Sequence, residues 1–276
     1  MHTELISIAT NTVPLEGVFY QPDGGDTKAA VMLLHGNCMN FYVGAPRFLP
    51  PALTQLGFAC LAFNRRGHDV LSTRDSRDLE GGAFQTIDEA IADNCYAAEW
   101  LEQRGYDSPI MIGHSNGGML AVKHVAEHPD TPALILLSAH RGGTEIVEVM
   151  CKQGLWAGDQ LAEIRNRATA LVQSGKQKEL LTLPGWWRIV SAESALDFMH
   201  NVPSILEFAP KITCPVLYMR GDQEPVDMYP AEAFSKLCAG SCQVEIIKEC
   251  GHFYSGREDE TSRQVSAWLA ANFKLK

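Results

Sequence analysis

The sequence predicts an α/β fold, with a mostly parallel twisted sheet, helices on both faces of the sheet and an inserted helical segment. Three observations support this prediction. Short apolar runs that are typical of fully buried strands alternate with patterns of helical period, which indicates parallel strands covered on both faces. One of these strands passes abruptly into a helix around residue 115. Between two late strands lie about seventy residues, which are too many for a loop and indicate an insertion.

The predicted strands extend along the whole chain. Residues 5–9 and 15–20 carry polar residues between apolar ones, so they predict an antiparallel hairpin at the edge of the sheet. The continuous apolar runs predict six buried strands, at residues 29–34, 60–63, 109–112, 133–137, 215–221 and 244–247. The clearest helix is predicted over residues 83–104, where apolar side chains recur on one face.

A sharp strand-to-helix turn is predicted at residues 113–117, which have the sequence GHSNG. The strand at 109–112 precedes this segment, and a helical pattern at 118–126 follows it. Such a turn strains the backbone and exposes the serine hydroxyl at the carboxyl end of the sheet, which makes Ser115 the candidate nucleophile. Both glycines are expected, because a Cβ at either position would collide with the neighbouring strand or helix. The pattern is common by itself, so its strand–turn–helix context carries the prediction.

Charge and cysteine content narrow the class of protein. The 276 residues carry a net charge of −10, which disfavours nucleic acid and anionic membranes as partners. No apolar run reaches the length of a membrane span. Residues 1–4 lack the basic and apolar regions of a signal peptide. The eight cysteines are scattered without a metal-binding spacing, which favours reduced thiols and a cytoplasmic location. The oligomeric state is left open.

The insertion divides the chain into two predicted parts. Residues 1–141 and 208–276 are expected to form the core domain, and residues 142–207 a helical insertion. Helical patterns within the insertion are found at residues 145–151, 159–172 and 191–201. Ser191 is expected to be the N-cap of the last of these helices.

The chain resembles the α/β-hydrolase superfamily from about Ala29 to Phe273, and five segments carry the resemblance. The matching segments are HGN at 35–37, NRRGH at 64–68, GHSNG at 113–117, GDQE at 221–224 and GHF at 251–253. The second segment has Asn64 where the superfamily usually has aspartate. The order serine, acid, histidine is also that of the superfamily. The resemblance implies the superfamily's fold and catalytic machinery, but it says little about the substrate because the fold hosts many reactions.

The resemblance implies a catalytic triad around Ser115. A serine hydroxyl is a poor nucleophile at neutral pH and needs a base to take its proton. His252, which follows the last strand, is the expected base, and a carboxylate should fix its tautomer and stabilise the imidazolium. The superfamily's acid usually stands three residues after the glycine that ends its strand, which indicates Glu224. Aspartate is commoner in this role, so Asp222 remains the alternative.

An oxyanion hole and a substrate pocket are expected beside the nucleophile. The oxyanion needs two backbone N–H donors, and we expect them from Asn116 and Asn37, with Cys38 as the alternative to Asn37. In the superfamily, an insertion at this position is a helical cap that covers the active site and supplies pocket walls. The residues expected at the pocket are Cys38, His140, Trp186 and Trp187. The two tryptophans could instead anchor the cap to the core domain.

The expected function is that of a cytoplasmic serine hydrolase, which cleaves a carboxylic ester or lactone of small to medium size through an acyl-enzyme. No cofactor or metal ion is implied. A carbon–carbon bond hydrolase acting on a diketone would use the same triad and remains an alternative. A ligand receptor on a hydrolase fold can also retain the triad, so the sequence leaves this class open. Haloalkane dehalogenases and epoxide hydrolases are disfavoured because they carry aspartate in place of Ser115.

Overall fold

The structure of the chain, a computed structural model, describes residues 1–24, 29–72, 78–185 and 188–273. Within these residues, eight strands form a sheet in the order β1-β2-β4-β3-β5-β6-β9-β10, and β7 and β8 form a separate hairpin. The strands are β1 His2–Ile8, β2 Leu15–Gln21, β3 Ala30–Leu34, β4 Ala59–Phe63, β5 Ile110–His114, β6 Leu134–Leu137, β7 Leu180–Thr182, β8 Ile189–Ser191, β9 Val216–Gly221 and β10 Cys242–Ile247.

The N-terminal hairpin forms one edge of the sheet, as the sequence predicts. β1 pairs antiparallel with β2 in a register that joins His2 to Gln21, and β2 pairs antiparallel with β4. The alternating pattern corresponds to the two faces of the hairpin, since Ile6 is buried and its neighbour Leu5 is 83% exposed. From β4 onward all neighbouring strands of the sheet are parallel.

The helices cover both faces of the sheet, which confirms the predicted fold class. They are α1 Ala45–Phe48, α2 Pro50–Gln55, α3 Ile87–Glu102, α4 Asn116–Glu127, α5 Ile146–Lys152, α6 Leu161–Gln173, α7 Ala192–His200, α8 Ile205–Phe208, α9 Ala231–Leu237 and α10 Glu258–Asn272. On β3, Met32 and Leu34 pack into the core layer that contains α3, α4 and α9, whereas Val31 and Leu33 pack into the layer that contains α1, α2 and α10. The central strands are apolar throughout because both of their faces are buried.

The helix predicted over residues 83–104 begins later than expected. Thr86 is its N-cap: the Thr86 hydroxyl accepts from Glu89 N–H, and the Glu89 carboxylate accepts from Thr86 N–H. This reciprocal pair satisfies two N–H groups and starts the helix at Ile87. In the described part of the chain, no helix is both long and apolar enough to cross a membrane.

The segment between β6 and β9 contains α5, α6, the β7–β8 hairpin, α7 and α8. The three helical patterns that the sequence shows in this segment correspond to α5, α6 and α7, and the Ser191 hydroxyl accepts from Ser194 N–H as the N-cap of α7. The segment contacts the start of α3, because Ser191 N–H donates to Ala83 O at 2.7 Å and Asp197 accepts from Ile87 N–H at 2.6 Å. These two bonds attach β8 and α7 to the chain at the start of α3.

Candidate active site

The strand-to-helix turn places Ser115 at the carboxyl end of β5, directly before α4. Ser115 has φ 56° and ψ −119°, a strained conformation for a residue with a side chain. Its N–H donates to Leu137 O on β6 at 2.9 Å. A Cβ on Gly113 would lie 2.4 Å from Gly117 O, and a Cβ on Gly117 would lie 2.4 Å from Leu34 O. Both glycines are therefore required by the close approach of strand, turn and helix.

The hydroxyl of Ser115 meets an imidazole from the far end of the chain. His252 Nε2 lies 3.0 Å from Ser115 Oγ, and His252 Nδ1 lies 2.8 Å from Glu224 Oε1. Because a carboxylate only accepts hydrogen bonds, Nδ1 carries the ring proton and Nε2 is free to accept the serine proton. The structure thus brings the three expected residues into one chain of contacts.

Glu224 is buried, and both of its carboxylate oxygens accept hydrogen bonds. Its second oxygen, Oε2, accepts from Gly221 N–H at 2.7 Å and from the Ser138 hydroxyl at 2.6 Å. The Tyr254 hydroxyl lies 2.8 Å from Ser138 Oγ. Burial, and next the charge of Glu224, raise the pKa of Tyr254 well above its usual value, so this hydroxyl stays protonated. These bonds compensate the burial of the carboxylate and aim it at His252.

Asp222, the alternative acid, has a different partner. Its carboxylate accepts from Cys250 N–H at 3.2 Å. Backbone hydrogen bonds from Glu249 and Cys250 lower the pKa of the exposed Asp222. Asp222 therefore holds the loop after β10, and it is Glu224 that contacts His252.

His114, the residue before the nucleophile, supports the same loop. His114 Nε2 donates to the backbone carbonyl of His252 at 2.8 Å. Burial, followed by the nearby charge of His252, lowers the pKa of His114 to about 3, so this imidazole is neutral at neutral pH. A buried neutral histidine can donate through one nitrogen without the cost of a buried charge. His114 thus fixes the position of the candidate base.

The expected oxyanion donors lie around Ser115. Asn116 is the first residue of α4, so its N–H has no partner within the helix and is free to donate to a ligand. Asn37, in the loop after β3, lines the cavity that contains Ser115 and His252. These two residues therefore approach the nucleophile from the helix and from the loop.

The cavity above Ser115 is small and mostly apolar. It has a volume of about 310 Å³ and is lined by side chains of the core and of the segment between β6 and β9. The residues from that segment are Ile146, Met150, Leu155 and Phe198, and those from the loop before α9 are Met228 and Tyr229. In the described ranges, no group of three or more histidine, cysteine or acidic residues could hold a metal ion.

His140, an expected pocket residue, lies in the wall of this cavity. Its Nδ1 accepts from Gly142 N–H at 3.0 Å, so the ring proton is on Nε2, which donates to Asn116 Oδ1 at 3.2 Å. Burial, followed by the charge of His252, lowers the pKa of His140 to about 3. His140 is therefore a neutral donor that fixes the side chain of the residue after the nucleophile.

The other expected pocket residues, Cys38 and the two tryptophans, are not among the described residues that line the cavity above Ser115. Cys38 lines a neighbouring cavity instead of the one that contains Ser115. The chain turns at Cys38 with φ 54°, and a Cβ on Gly82 would lie 2.5 Å from the Cys38 sulfur, so the thiol packs toward Gly82. Trp186 and Trp187 lie outside the described residues, and the expectation that they line the pocket stays a prediction.

The neutral buried histidines should make the fold sensitive to acid. The pKa of His140 is about 3 in the folded chain, and near 6.5 when the chain is unfolded. The unfolded chain then binds more protons below pH 6.5, so the free energy of unfolding falls as the pH drops toward 3. Between pH 7 and pH 5 we expect a loss of about 2 kcal/mol from this group. The free energy of unfolding can be measured by urea denaturation at both pH values. Between pH 7 and pH 5 it should fall less in His140→Gln than in the wild type, and in the exposed His2→Gln it should fall as much as in the wild type. An identical loss in His140→Gln would contradict the assignment.

The chain is similar to known proteins in both sequence and structure. Residues 29–185 match the family model described as the α/β hydrolase fold. No curated protein sequence matches the chain. Among solved structures, Est1E from Butyrivibrio proteoclasticus with bound ferulic acid has 19% identity and a TM-score of 0.73, covering 97% of this chain and 98% of that one.

Two further structures have comparable similarity. Dienelactone hydrolase from Anabaena variabilis has 17% identity and a TM-score of 0.61, covering 100% of this chain and 99% of that one. A monoglyceride lipase variant from Saccharomyces cerevisiae has 14% identity and a TM-score of 0.71, covering 98% and 96%. At these identities the likeness shows the fold. Because the family model matches more than half of this chain, the chain belongs to the α/β-hydrolase fold family.

Proposed function

We propose that the protein is a serine hydrolase that cleaves a carboxylic ester or lactone of small to medium size through an acyl-enzyme. The observation that carries this proposal is the chain of contacts from Ser115 Oγ to His252 and from His252 to Glu224. The similarity to a dienelactone hydrolase and a monoglyceride lipase supports ester hydrolysis as the class of reaction. The free cysteines of the protein are compatible with a location in the reducing cytoplasm.

The geometry permits both halves of an acyl transfer. Ser115 Oγ attacks the carbonyl carbon while His252 Nε2 takes its proton, and Glu224 stabilises the imidazolium. The backbone N–H groups of Asn116 and Asn37 stabilise the oxyanion. When the tetrahedral intermediate collapses, His252 returns the proton to the leaving oxygen and the acyl group stays on Ser115. A water molecule that gives its proton to His252 then releases the acid and restores the serine.

Residues 142–207 act in this proposal as the cap of a core formed by residues 1–141 and 208–276. Side chains of α5 and α7, such as Met150 and Phe198, cover the cavity and exclude water from the acyl group. A volume of about 310 Å³ is near the lower limit of ligand sites, so a long acyl chain has no room without movement of the cap. Short acyl groups should therefore be preferred.

We expect kcat/KM for p-nitrophenyl esters to peak at short acyl chains and to fall steeply for chains of twelve or more carbons. Phe198→Ala should enlarge the cavity and shift this preference toward longer chains by about 1–3 kcal/mol. Phe208→Ala, which removes the same ring from α8 outside the cavity wall, serves as the matched control. A uniform change across the esters would assign Phe198 a structural role, and efficient hydrolysis of long-chain triglycerides would contradict the small acyl cavity.

The same assay separates the alternatives. A diketone that is cleaved faster than any ester or lactone would indicate a carbon–carbon bond hydrolase. A ligand receptor would bind substrate analogues without steady turnover of any ester. Sustained turnover of a short ester, with release of both acid and alcohol, is the result expected from the proposed function.

A further inference from the structure

A second cavity adjoins the candidate active site. It has a volume of about 610 Å³ and shares Met39 and Phe253 with the cavity above Ser115. Met39 lines both cavities and packs against two glycines, because a Cβ on Gly36 would lie 2.7 Å from its sulfur and a Cβ on Gly44 would lie 3.0 Å from its terminal methyl group. One side of the second cavity is the segment from Cys38 to Phe48, and the other is the loop that follows His252. It therefore opens between the chain after β3 and the loop that follows His252.

The walls of this cavity carry polar groups without partners. Asn40 is 7% exposed, and its Nδ2 donates to Asp69 Oδ1 at 2.9 Å, but its Oδ1 has no hydrogen-bond partner in the described residues. Arg47 on α1 and Glu258 in the first turn of α10 also line the cavity, and neither forms an ion pair within the described chain. The Asn40 Oδ1 atom is itself fully enclosed, so Arg47 and Glu258 are the charged groups that a ligand in this cavity can meet.

The apolar part of the cavity is aromatic. The Phe253 side chain is 60% exposed, and Phe48 also lines the cavity. An exposed aromatic face can pack against the C–H face of a ring-shaped ligand. The cavity thus combines flat apolar surface with hydrogen-bond donors and acceptors.

Proton transfer decides which half of the substrate lies here. His252 must donate to the leaving oxygen, so the alcohol half of an ester begins beside His252, and the next residue, Phe253, lines both cavities. The acyl half then occupies the smaller cavity under α5 and α7. A substituent on the leaving oxygen that passes between Met39 and Phe253 enters the second cavity.

We infer that the second cavity binds the alcohol half of the substrate, and that this alcohol carries several hydroxyl groups and is about the size of a monosaccharide. The inference rests on the proposed ester hydrolysis. Each hydroxyl both donates and accepts, so a polyol can accept from Arg47 and donate to Glu258. The opposite charges of Arg47 and Glu258 cancel, which gives a charged alcohol little advantage. The volume also exceeds what a methyl or ethyl group requires.

Esters that share one acyl group test this inference. We would measure kcat/KM for ethyl butyrate, glyceryl monobutyrate and glucose 6-butyrate with the wild-type chain, Arg47→Met and Ser255→Trp, whose new ring would fill the cavity. The exposed Arg165→Met on α6 is the matched control for loss of charge. The wild type should prefer the glucose ester, and the glucose-to-ethyl ratio should fall about tenfold in Arg47→Met and further in Ser255→Trp. In Arg165→Met the ratio should stay within twofold.

A glucose-to-ethyl ratio that is the same in all four proteins would overturn the inference, as would a wild type that prefers the ethyl ester. A preference for the glyceryl ester over the glucose ester would overturn the monosaccharide size. If the wild type hydrolyses none of the three esters, the proposed function fails separately. Calorimetric titration with methyl glucoside then decides the inference, because binding that Arg47→Met weakens supports it and absence of binding overturns it.

Discussion

Replacing Ser115 with alanine should lower kcat for a short ester by on the order of 10³-fold or more, because the turn then carries no nucleophile. The fold should persist, since alanine also has a Cβ and the residue 115 N–H keeps its bond to Leu137 O. Steady-state kinetics of both proteins give the ratio, with the exposed Ser174→Ala as the matched control. A fluorophosphonate should label Ser115 alone in the wild type. Labelling that survives in Ser115→Ala would show that another residue is the nucleophile.

Replacing Glu224 with glutamine should lower kcat by on the order of 10³-fold or more, whereas Asp222→Asn should have only a mild effect. Donors meet the Glu224 carboxylate from both sides, with His252 Nδ1 at one oxygen and Gly221 N–H and the Ser138 hydroxyl at the other. A glutamine must point its NH₂ group at one of these sides. Either His252 is driven to the tautomer that cannot accept the serine proton, or two donors lose their acceptor. The charge that stabilises the imidazolium is lost in both cases.

The two acid variants are compared with wild type on the same short ester, with unfolding curves to show that each is folded. Asp222→Asn is the matched control, because it makes the same chemical change two residues away in the same loop. A stronger effect of Asp222→Asn than of Glu224→Gln would transfer the role to Asp222. Equal and mild effects of both would mean that another carboxylate supports His252.

The sheet and the turn at Ser115 could be predicted because their signals are local. The buried strands are uninterrupted apolar runs, and the glycines at 113 and 117 stand where strand and helix backbones approach each other. The hairpin of β7 and β8 was not predicted, since strands of three residues are too short to show a period. The start of α3 was placed too early because apolar residues continue before the N-cap Thr86.

The choice between Asp222 and Glu224 could not be made from sequence, because both stand in one loop and spacing alone does not show which carboxylate turns inward. The structure distinguishes them through partners on other elements: Ser138 follows β6 and holds Glu224, while Cys250 follows β10 and holds Asp222. Ser138 has no motif of its own. Its position directly after a buried strand was the only available signal for a residue beside the site.

The bond from His114 to His252 has a consequence for the spacing of the reactive atoms. His114 and Ser115 are consecutive, and together they hold His252 at two points, one on its backbone carbonyl and one on its ring. A shift of the end of β5 would therefore move both of these contacts together. His114 and Ser115 thus help to set the gap between oxygen and nitrogen, and the chain between Ser115 and His252, which are 137 positions apart, can vary in length where it makes no contact with the triad.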